Sequence, residues 1–427
     1  MLLPLLLDYI VTTMKILINR WIQLVLMVIC FFVISGPQYL WALFVKPFLE
    51  KFGVPLSQLQ IVFSVVLVCM TFITPLAGYF QDRFKSRHVI TFGLIVCSSS
   101  WILASFASSM TLLFFTYGIL GGLGAGITFI GCTGTIQKNF SDKRGFATGI
   151  LMSGYALGPL LTTPFVAKSL QAMGVEATML MFGQIFLVIS IVLAFLLRTD
   201  AIEVQKVAKT IRQKTGLHAK EMLQTPIFWV MFAMMAIIAA TGMMITSNIA
   251  IISKEYGIGS EIYLFGLAAL PLALMIDRIM NGISRVLFGS ISDRLGRENT
   301  LALAFFLEAI FVGIWFKEIR DPAMFILLSG LVFLAWGEIF SIFPALCTDI
   351  FGEKHASFNF GFLYASVGVG SILGGPLAAW LRESYGSWNP VFTIVITLDL
   401  ITAFTALFIL KRMRLGHKTL VSARTLA

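Results

Sequence analysis

An apolar stretch between residues 262 and 290 carries the side chains best suited to binding a charged ligand. Within it lie Asp277, Arg278, Asn281 and Arg285. A guanidinium presents a planar fork of donors that fits a carboxylate at two points, so Arg285 is the predicted anchor for an anion. Asn281 lies one helical turn earlier on nearly the same face and is predicted to share the site. The alternative for Arg285 is an internal ion pair, for example with Asp277, that only stabilises packing. For Arg278, pairing with adjacent helices is favoured.

Carboxyl groups in apolar stretches suggest a second kind of chemistry, the binding of protons. A desolvated carboxyl group can keep its proton near neutral pH, which makes Asp277 and Glu338 candidates for proton coupling. Glu308 is a further buried carboxylate. Glu338 is out of phase with Trp336 and Phe340, which lie four residues apart on one face, so it is expected to face a neighbouring helix. A hydrogen bond that stabilises packing is the alternative role for each carboxyl group.

Other chemistries find no support in the sequence. The five cysteines lie inside apolar blocks without paired spacing, and the four histidines lie in connectors or the tail, so neither disulfides nor a metal site is predicted. The net charge of +10 is spread over short connectors, which argues against nucleic acid as a partner. The chain contains no phosphate-binding loop and no His-Glu-x-x-His motif. We therefore predict no cofactor and no enzymatic activity.

The composition places these side chains in a membrane. Hydrophobic residues make up 58% of the 427 residues and charged residues 12%, against roughly 45–50% and 25% in soluble domains. The apolar residues form blocks of about twenty, long enough to cross a hydrocarbon layer of about 30 Å. Twelve spans are predicted, near 21–45, 57–80, 88–107, 110–136, 145–168, 176–197, 226–253, 262–290, 299–317, 322–348, 357–381 and 389–410.

The connectors define the predicted domains and orientation. Lys and Arg concentrate on one side of the predicted spans, which places both termini in the cytoplasm and the protein in the cell membrane. The predicted domains are an N-terminal extension, a six-helix bundle, a cytoplasmic linker, a second six-helix bundle and a cytoplasmic tail, at residues 1–20, 21–197, 198–225, 226–411 and 412–427. The sequence leaves open whether Met1 or Met14 is the start.

The two predicted bundles repeat one another. The stretch GYFQDRFKSR (78–87) follows span 2, and GSISDRLGR (289–297) follows span 8, with an offset of 211 residues. The stretches after spans 4 and 10 place Gly149 and Gly361 at an offset of 212. In span 4, Gly118, Gly122 and Gly126 share one face, which favours close helix packing. Two independent pairs at nearly one offset indicate pseudo-symmetric halves.

The repeated loop resembles the signature of the major facilitator superfamily. The resemblance implies an all-α membrane fold of twelve helices in two pseudo-symmetric bundles. It also implies that Asp82, Arg83, Asp293 and Arg294 are gating residues that hold neighbouring helices together in one state of a transport cycle. The alternative is that these residues serve only the charge rule for topology.

Within the superfamily the chain resembles the oxalate/formate antiporter family and the related monocarboxylate transporters. The resemblance is carried by SGPQYLWALF (35–44), DKRGFATG (142–149), TPIFWV (225–230) and NGISRVLFGSISDRLGR (281–297). It supports Arg285 as the anion anchor. The lysine that the family's dicarboxylate exchanger has in span 11 is replaced by Val367, and the span 1 lysine of the monocarboxylate transporters by Leu43. A single cation favours a monoanion over a dianion.

The remaining pocket candidates are amphipathic or aromatic residues at matching positions of the spans. They are Gln38, Tyr39, Phe129, Tyr155, Trp336, Phe340 and Tyr364. The sequence thus predicts a secondary carrier, working as a monomer in the lipid bilayer, for a small carboxylate such as lactate, pyruvate, formate or acetate, with protons as a candidate co-substrate. The alternatives are an oxalate/formate-type exchanger and a carboxylate sensor that does not transport.

Overall fold

The computed structural model describes residues 19–198, 216–258, 262–264 and 267–415. These residues fold mainly into long apolar helices. The predicted N-terminal extension up to residue 18, most of the linker, and the tail from residue 416 lie outside the described residues.

The first six spans follow the predicted order. Their helices are Arg20–Tyr39 and Trp41–Phe52 in span 1, Leu56–Phe72 and Thr74–Arg83 in span 2, Ser86–Ser105 in span 3, and Met110–Leu113, the π-helix Phe114–Leu120 and Gly121–Asn139 in span 4. Spans 5 and 6 lie within the element Arg144–Leu196, which comprises two helices that meet at a kink. Gly174, with a φ of 79°, breaks that element, because this backbone conformation is open to glycine and strained for other residues.

The second six spans begin after a short helix, Ala219–Leu223. Their helices are Pro226–Thr246 in span 7, Ala269–Leu295 in span 8, Arg297–Glu318 in span 9, Pro322–Trp336 and Ile339–Phe351 in span 10, Ala356–Tyr385 in span 11, and Asn389–Phe404 with the π-helix Thr405–Leu410 in span 12. A further helix, Ile249–Glu255, follows span 7, and two short antiparallel strands, β1 (Ile262–Leu264) and β2 (Leu267–Ala268), precede span 8.

Length and apolarity identify ten membrane-spanning helices among the described residues. One of the ten is the 53-residue element Arg144–Leu196, which holds spans 5 and 6. Span 8 is not among the ten, because Asp277, Arg278 and Arg285 make it more polar than the others. Counting spans 5 and 6 separately and adding span 8 gives the twelve predicted spans within the described residues.

Local sequence signals set several helix starts. Asn19 precedes span 1, and its side chain accepts a hydrogen bond of 2.9 Å from the backbone N–H of Trp21. Asp321 does the same for span 10, accepting from the N–H of Met324 at 2.9 Å. Pro226 and Pro322 occupy first-turn positions, where the missing N–H would have no partner in the helix.

The described residues divide into two compact units. Unit 1 comprises the described residues of Met1–Asp142, Gly158–Gly216 and Glu353–Gly361. Unit 2 comprises those of Lys143–Leu157, Leu217–Gly352 and Phe362–Ala427. Each unit therefore includes one short segment from the opposite half of the sequence, and that segment contains the start of span 5 in unit 2 and the start of span 11 in unit 1.

Glycines bring helix backbones together in unit 1. A Cβ atom at Gly122 would lie 2.5 Å from the carbonyl oxygen of Val66, and one at Gly126 would lie 2.3 Å from that of Met70. Gly118 meets Val65 on the same side. These are the three glycines predicted to share one face of span 4, and that face packs on span 2.

In unit 2, glycines bring the backbones of spans 7 and 11 together in the same way. A Cβ atom at Gly370 would lie 2.3 Å from the carbonyl oxygen of Ala236, and one at Gly374 would lie 2.4 Å from that of Ala240. Large rings fill the rest of the core, where the buried Trp315 packs on Phe325 and Phe392 with ring centroids 5.5 and 5.6 Å away.

Candidate functional site

The predicted anchor, Arg285, is a buried side chain of span 8 that is 3% exposed. Its Nη1 donates a 2.7 Å hydrogen bond to the main-chain carbonyl oxygen of Met152. Its Nη2 donates a 2.9 Å hydrogen bond to Oδ1 of Asn281, the residue that helical spacing had placed beside it. Both of these acceptors are neutral oxygens, so they orient the guanidinium without cancelling its charge.

Aromatic rings line the same region of unit 2. The Arg285 guanidinium lies over the ring of Phe340 at 4.6 Å from its centroid, a cation–π contact. The Phe340 ring contacts Trp336 edge-on, with centroids 5.9 Å apart, and Tyr364 with centroids 6.5 Å apart. Trp336 is itself fixed, because its Nε1 donates a 2.9 Å hydrogen bond to the carbonyl oxygen of Ile238. Three of the predicted pocket residues thus form one chain of ring contacts, and its middle ring, Phe340, contacts Arg285.

Two further residues that the sequence analysis singled out belong to unit 2. Tyr155, 5% exposed, lies three residues after Met152 in span 5. Val367, the span 11 residue singled out by the family resemblance, is 6% exposed and lies three residues after Tyr364. Residues three apart in a helix share a face, so Val367 lies on the side of span 11 that carries the Tyr364 ring.

The other pocket candidates belong to unit 1. Gln38 and Tyr39 are half-buried at the end of the first helix of span 1. Phe129 is 2% exposed in span 4 and stacks on Phe31, with ring centroids 5.5 Å apart. Their part in ligand binding stays a prediction.

The two aspartates of the repeated loop make equivalent contacts, one in each unit. In unit 2, the Asp293 carboxylate accepts hydrogen bonds from the N–H groups of Gly145 and Phe146 at 3.0 and 2.9 Å. In unit 1, the Asp82 carboxylate accepts from the N–H of Phe358 at 2.8 Å and more weakly from that of Ser357. Each aspartate therefore caps the start of a long helix, span 5 or span 11, where free N–H groups and the helix dipole favour a negative charge.

Basic side chains complete both aspartate sites. Lys138 forms an ion pair with Asp82 at 2.9 Å, and Arg297 forms one with Asp293 at 2.5 Å. Arg297 also pairs with Asp349, which in turn binds Arg144 at 2.6 Å. Asp349 lies 211 residues after Lys138, so the two units place opposite charges at corresponding positions.

The two arginines that the resemblance assigned to gating lie outside these contacts. Both Arg83 and Arg294 are exposed. The Arg83 guanidinium lies over the ring of Tyr79 at 4.1 Å from its centroid. The arginine that contacts the span 8 aspartate is Arg297, the first residue of the span 9 helix, which follows the non-helical Gly296.

Four of the buried carboxylates that the structure describes lie in unit 2 away from the ends of their spans. Asp277 is 2% exposed, and Glu308 and Glu338 are fully buried, as the sequence predicted. The fourth, Asp399 in span 12, is also fully buried and escaped the sequence analysis. It could have been found by the rule that flagged the others, because it is the lone charged residue of a long apolar stretch.

Comparisons with known proteins agree with this architecture. The profile of the Major Facilitator Superfamily matches residues 26–316 and 272–425. The chain is 31% identical over 405 residues to the oxalate:formate antiporter of Oxalobacter formigenes, covering 94% of each chain. It is 22% identical to monocarboxylate transporter 12 of Rattus norvegicus, over 83% of this chain and 77% of that protein.

A solved structure shares the fold. The proton:xylose symporter XylE bound to 6-bromo-6-deoxy-D-glucose aligns with a TM-score of 0.67 over 91% of this chain and 95% of that one, at 15% identity. The chain therefore belongs to the Major Facilitator Superfamily and is a multi-pass membrane transporter, not an enzyme. Within the superfamily it is similar to the oxalate:formate antiporter and, more distantly, to monocarboxylate transporters.

Proposed function

We propose that this protein is a secondary carrier of small monocarboxylates, of the lactate, pyruvate, formate or acetate type, that works by alternating access. The observation that carries the proposal is the buried guanidinium of Arg285, oriented by the neutral oxygens of Met152 and Asn281 and by the ring of Phe340. In such surroundings a substrate carboxylate gains strong, charge-assisted hydrogen bonds in place of its hydration.

The preference for a monoanion rests on Val367. Where the family's dicarboxylate exchanger has a lysine, this chain has a buried apolar side chain. The second negative charge of oxalate would lose its water without gaining a cation at that place, which is unfavourable in a medium of low dielectric constant. A monocarboxylate meets no such cost.

Exchange of oxalate against formate is the second candidate function. It is favoured by one observation, the 31% identity to the oxalate:formate antiporter over 94% of each chain. Formate is itself a monocarboxylate, so the two functions differ only in whether a dianion is accepted.

The transport cycle we propose uses the two aspartate sites as gates. The contacts of Asp82 and Asp293 join the ends of spans 2 and 8 to the starts of spans 11 and 5. Breaking them would free these helices to move, as alternating access requires. The proposal includes a monomer in the cell membrane with both termini in the cytoplasm, because Lys and Arg concentrate on that side.

A reconstitution experiment tests the proposal. Purified protein in liposomes preloaded with unlabelled lactate is expected to take up labelled lactate by counterflow, and pyruvate, formate and acetate are expected to compete. Strong competition by oxalate or malonate would support the exchanger instead. Binding of these acids without flux would refute transport by the purified chain.

A further inference from the structure

Three carboxyl groups meet in the interior of unit 2, on three different spans. Glu308 lies midway along span 9, Glu338 lies between the two helices of span 10, and Asp399 lies in span 12. Glu308 interacts electrostatically with both of the others, and Glu338 also with Asp399. All three are fully buried. We call these residues the carboxyl cluster.

The oxygens of the carboxyl cluster are unsatisfied. None of its six carboxyl oxygens accepts a hydrogen bond from a residue that the structure describes. The hydroxyl of Thr241 in span 7 lies beside Asp399 but donates to the carbonyl oxygen of Ile238 instead, at 3.1 Å. A buried, ionised carboxylate without donors is very costly, so these groups require a positive ligand, and the smallest such ligand is a proton.

The fold itself does not require charges at this place. In unit 1, Ser98 of span 3 and Ser190 of span 6 lie 210 and 209 residues before Glu308 and Asp399. Their two hydroxyl groups are buried and hydrogen-bonded to each other at 3.0 Å. Spans 3 and 6, which correspond to spans 9 and 12, therefore meet through a neutral pair of small side chains, and the carboxyl groups of unit 2 need another explanation.

The carboxyl cluster adjoins the proposed anion anchor. Glu338 interacts electrostatically with Arg285. Gly337 packs so closely on span 8 that a Cβ atom there would lie 3.0 Å from Nδ2 of Asn281 and 3.0 Å from Cβ of Ser284. The residue next to Glu338 thus contacts the same Asn281 that orients the Arg285 guanidinium. Charge at Arg285 and protonation of Glu338 are linked by this proximity.

We propose that the carboxyl cluster is a proton site that couples transport to protons through Glu338. Glu308 and Asp399 share one proton, and the negative charge that remains on this pair disfavours a further charge on Glu338. In the empty carrier, the positive charge of Arg285 stabilises the Glu338 carboxylate. When a substrate carboxylate binds Arg285, that stabilisation is lost, and Glu338 takes one proton from the solution on the side to which the site is then open. Release of the substrate on the other side returns the proton to water there, so one proton travels with one anion.

This inference rests on the proposed function for its coupling step, but the protonation of the carboxyl cluster is measurable without transport. Infrared difference spectra of the purified protein in nanodiscs are expected to contain carbonyl-stretching bands of buried, protonated carboxyl groups. Glu308→Gln and Asp399→Asn should each remove part of that signal, and Glu338→Gln should remove a further band that appears only when lactate is added. Spectra unchanged by all three substitutions would mean that the groups are ionised and would overturn the proposal.

A transport experiment separates proton coupling from transport of the anion itself. With an inward proton gradient of about one pH unit, the wild-type protein is expected to accumulate labelled lactate about tenfold, the limit for one proton per anion. Glu338→Gln should abolish accumulation and keep counterflow exchange close to the wild-type rate. Accumulation that persists in Glu338→Gln would overturn the coupling role of Glu338.

A matched control comes from Asp277, which is buried in span 8 beside Ser329 and Arg278 rather than in the carboxyl cluster. Asp277→Asn should retain accumulation. Loss of accumulation in Asp277→Asn with retention in Glu338→Gln would assign coupling to Asp277 and refute our inference. Wild-type protein that gives the infrared bands but no counterflow would instead refute the proposed function alone.

Discussion

Arg285 and Met152 are joined by a 2.7 Å hydrogen bond from the guanidinium to a main-chain carbonyl oxygen. The two residues are 133 positions apart in the sequence, on spans 8 and 5 of unit 2. The backbones meet at the same point, since a Cβ atom at Gly149 would lie 2.1 Å from the carbonyl oxygen of Arg285. The anion anchor is therefore held by the packing of two helices, and changes in that packing are expected to alter binding.

Arg285→Lys tests the anchor directly. A lysine keeps the charge but loses the planar fork, and a charge-assisted hydrogen bond contributes about 1.5–3 kcal/mol, so transport should fall at least about tenfold. The thermal unfolding temperature should change little. The measurement is counterflow of labelled lactate, with Arg278→Lys as the control that keeps its activity. Wild-type flux in Arg285→Lys would remove Arg285 as the anchor.

Val367→Lys tests selectivity. A second cation on span 11 would balance the second charge of a dianion, so competition by oxalate and malonate against lactate should increase. Val369→Lys, on the opposite face of the same helix, is the control and should leave the ranking of competitors unchanged. Equal competition by oxalate and malonate in the wild type and in Val367→Lys would contradict our account of the pocket.

Gly149→Ala tests the close approach of spans 5 and 8. The added methyl group would meet main-chain atoms of Arg285 and Val286, which cannot move aside as a side chain can. We expect a loss of stability of about 1–3 kcal/mol together with weaker lactate binding. Thermal unfolding and uptake measure the two effects. Gly313→Ala, whose Cβ would come no nearer than 3.7 Å to Ile396, should behave like the wild type.

Asp293 and Arg297 are predicted to act as a pair. Asp293→Asn removes the charge that caps span 5 and contacts Arg297, at a cost of about 1 kcal/mol or more in stability. In a double-mutant cycle with Arg297→Gln, the two effects should be non-additive. The control is Arg294→Gln, an exposed position that should show additive behaviour with Asp293→Asn. Strong coupling to Arg294 and none to Arg297 would restore the assignment suggested by family resemblance.

Much of the site followed from the sequence because helical spacing is a local property. Arg285 and Asn281 are four residues apart, so one helix places them together, and the structure joins them at 2.9 Å. The same spacing brings Trp336 and Phe340 into ring contact. The pairing of Asp293 with Arg297 does not follow from helical spacing, because the span 8 helix ends at Leu295, and the family motif drew attention to Arg294 instead.

The sequence alone determined the membrane environment, the twelve spans, the repeat at an offset of 211 residues and the buried charges, because apolar length and the cost of a charge in lipid act on each segment separately. Only the tertiary structure decided that Arg285 donates to Met152 and that Glu308, Glu338 and Asp399 share one place. Such contacts depend on which faces of distant helices meet. Periodicity fixes a face within one helix, whereas packing across the bundle fixes the partner of that face.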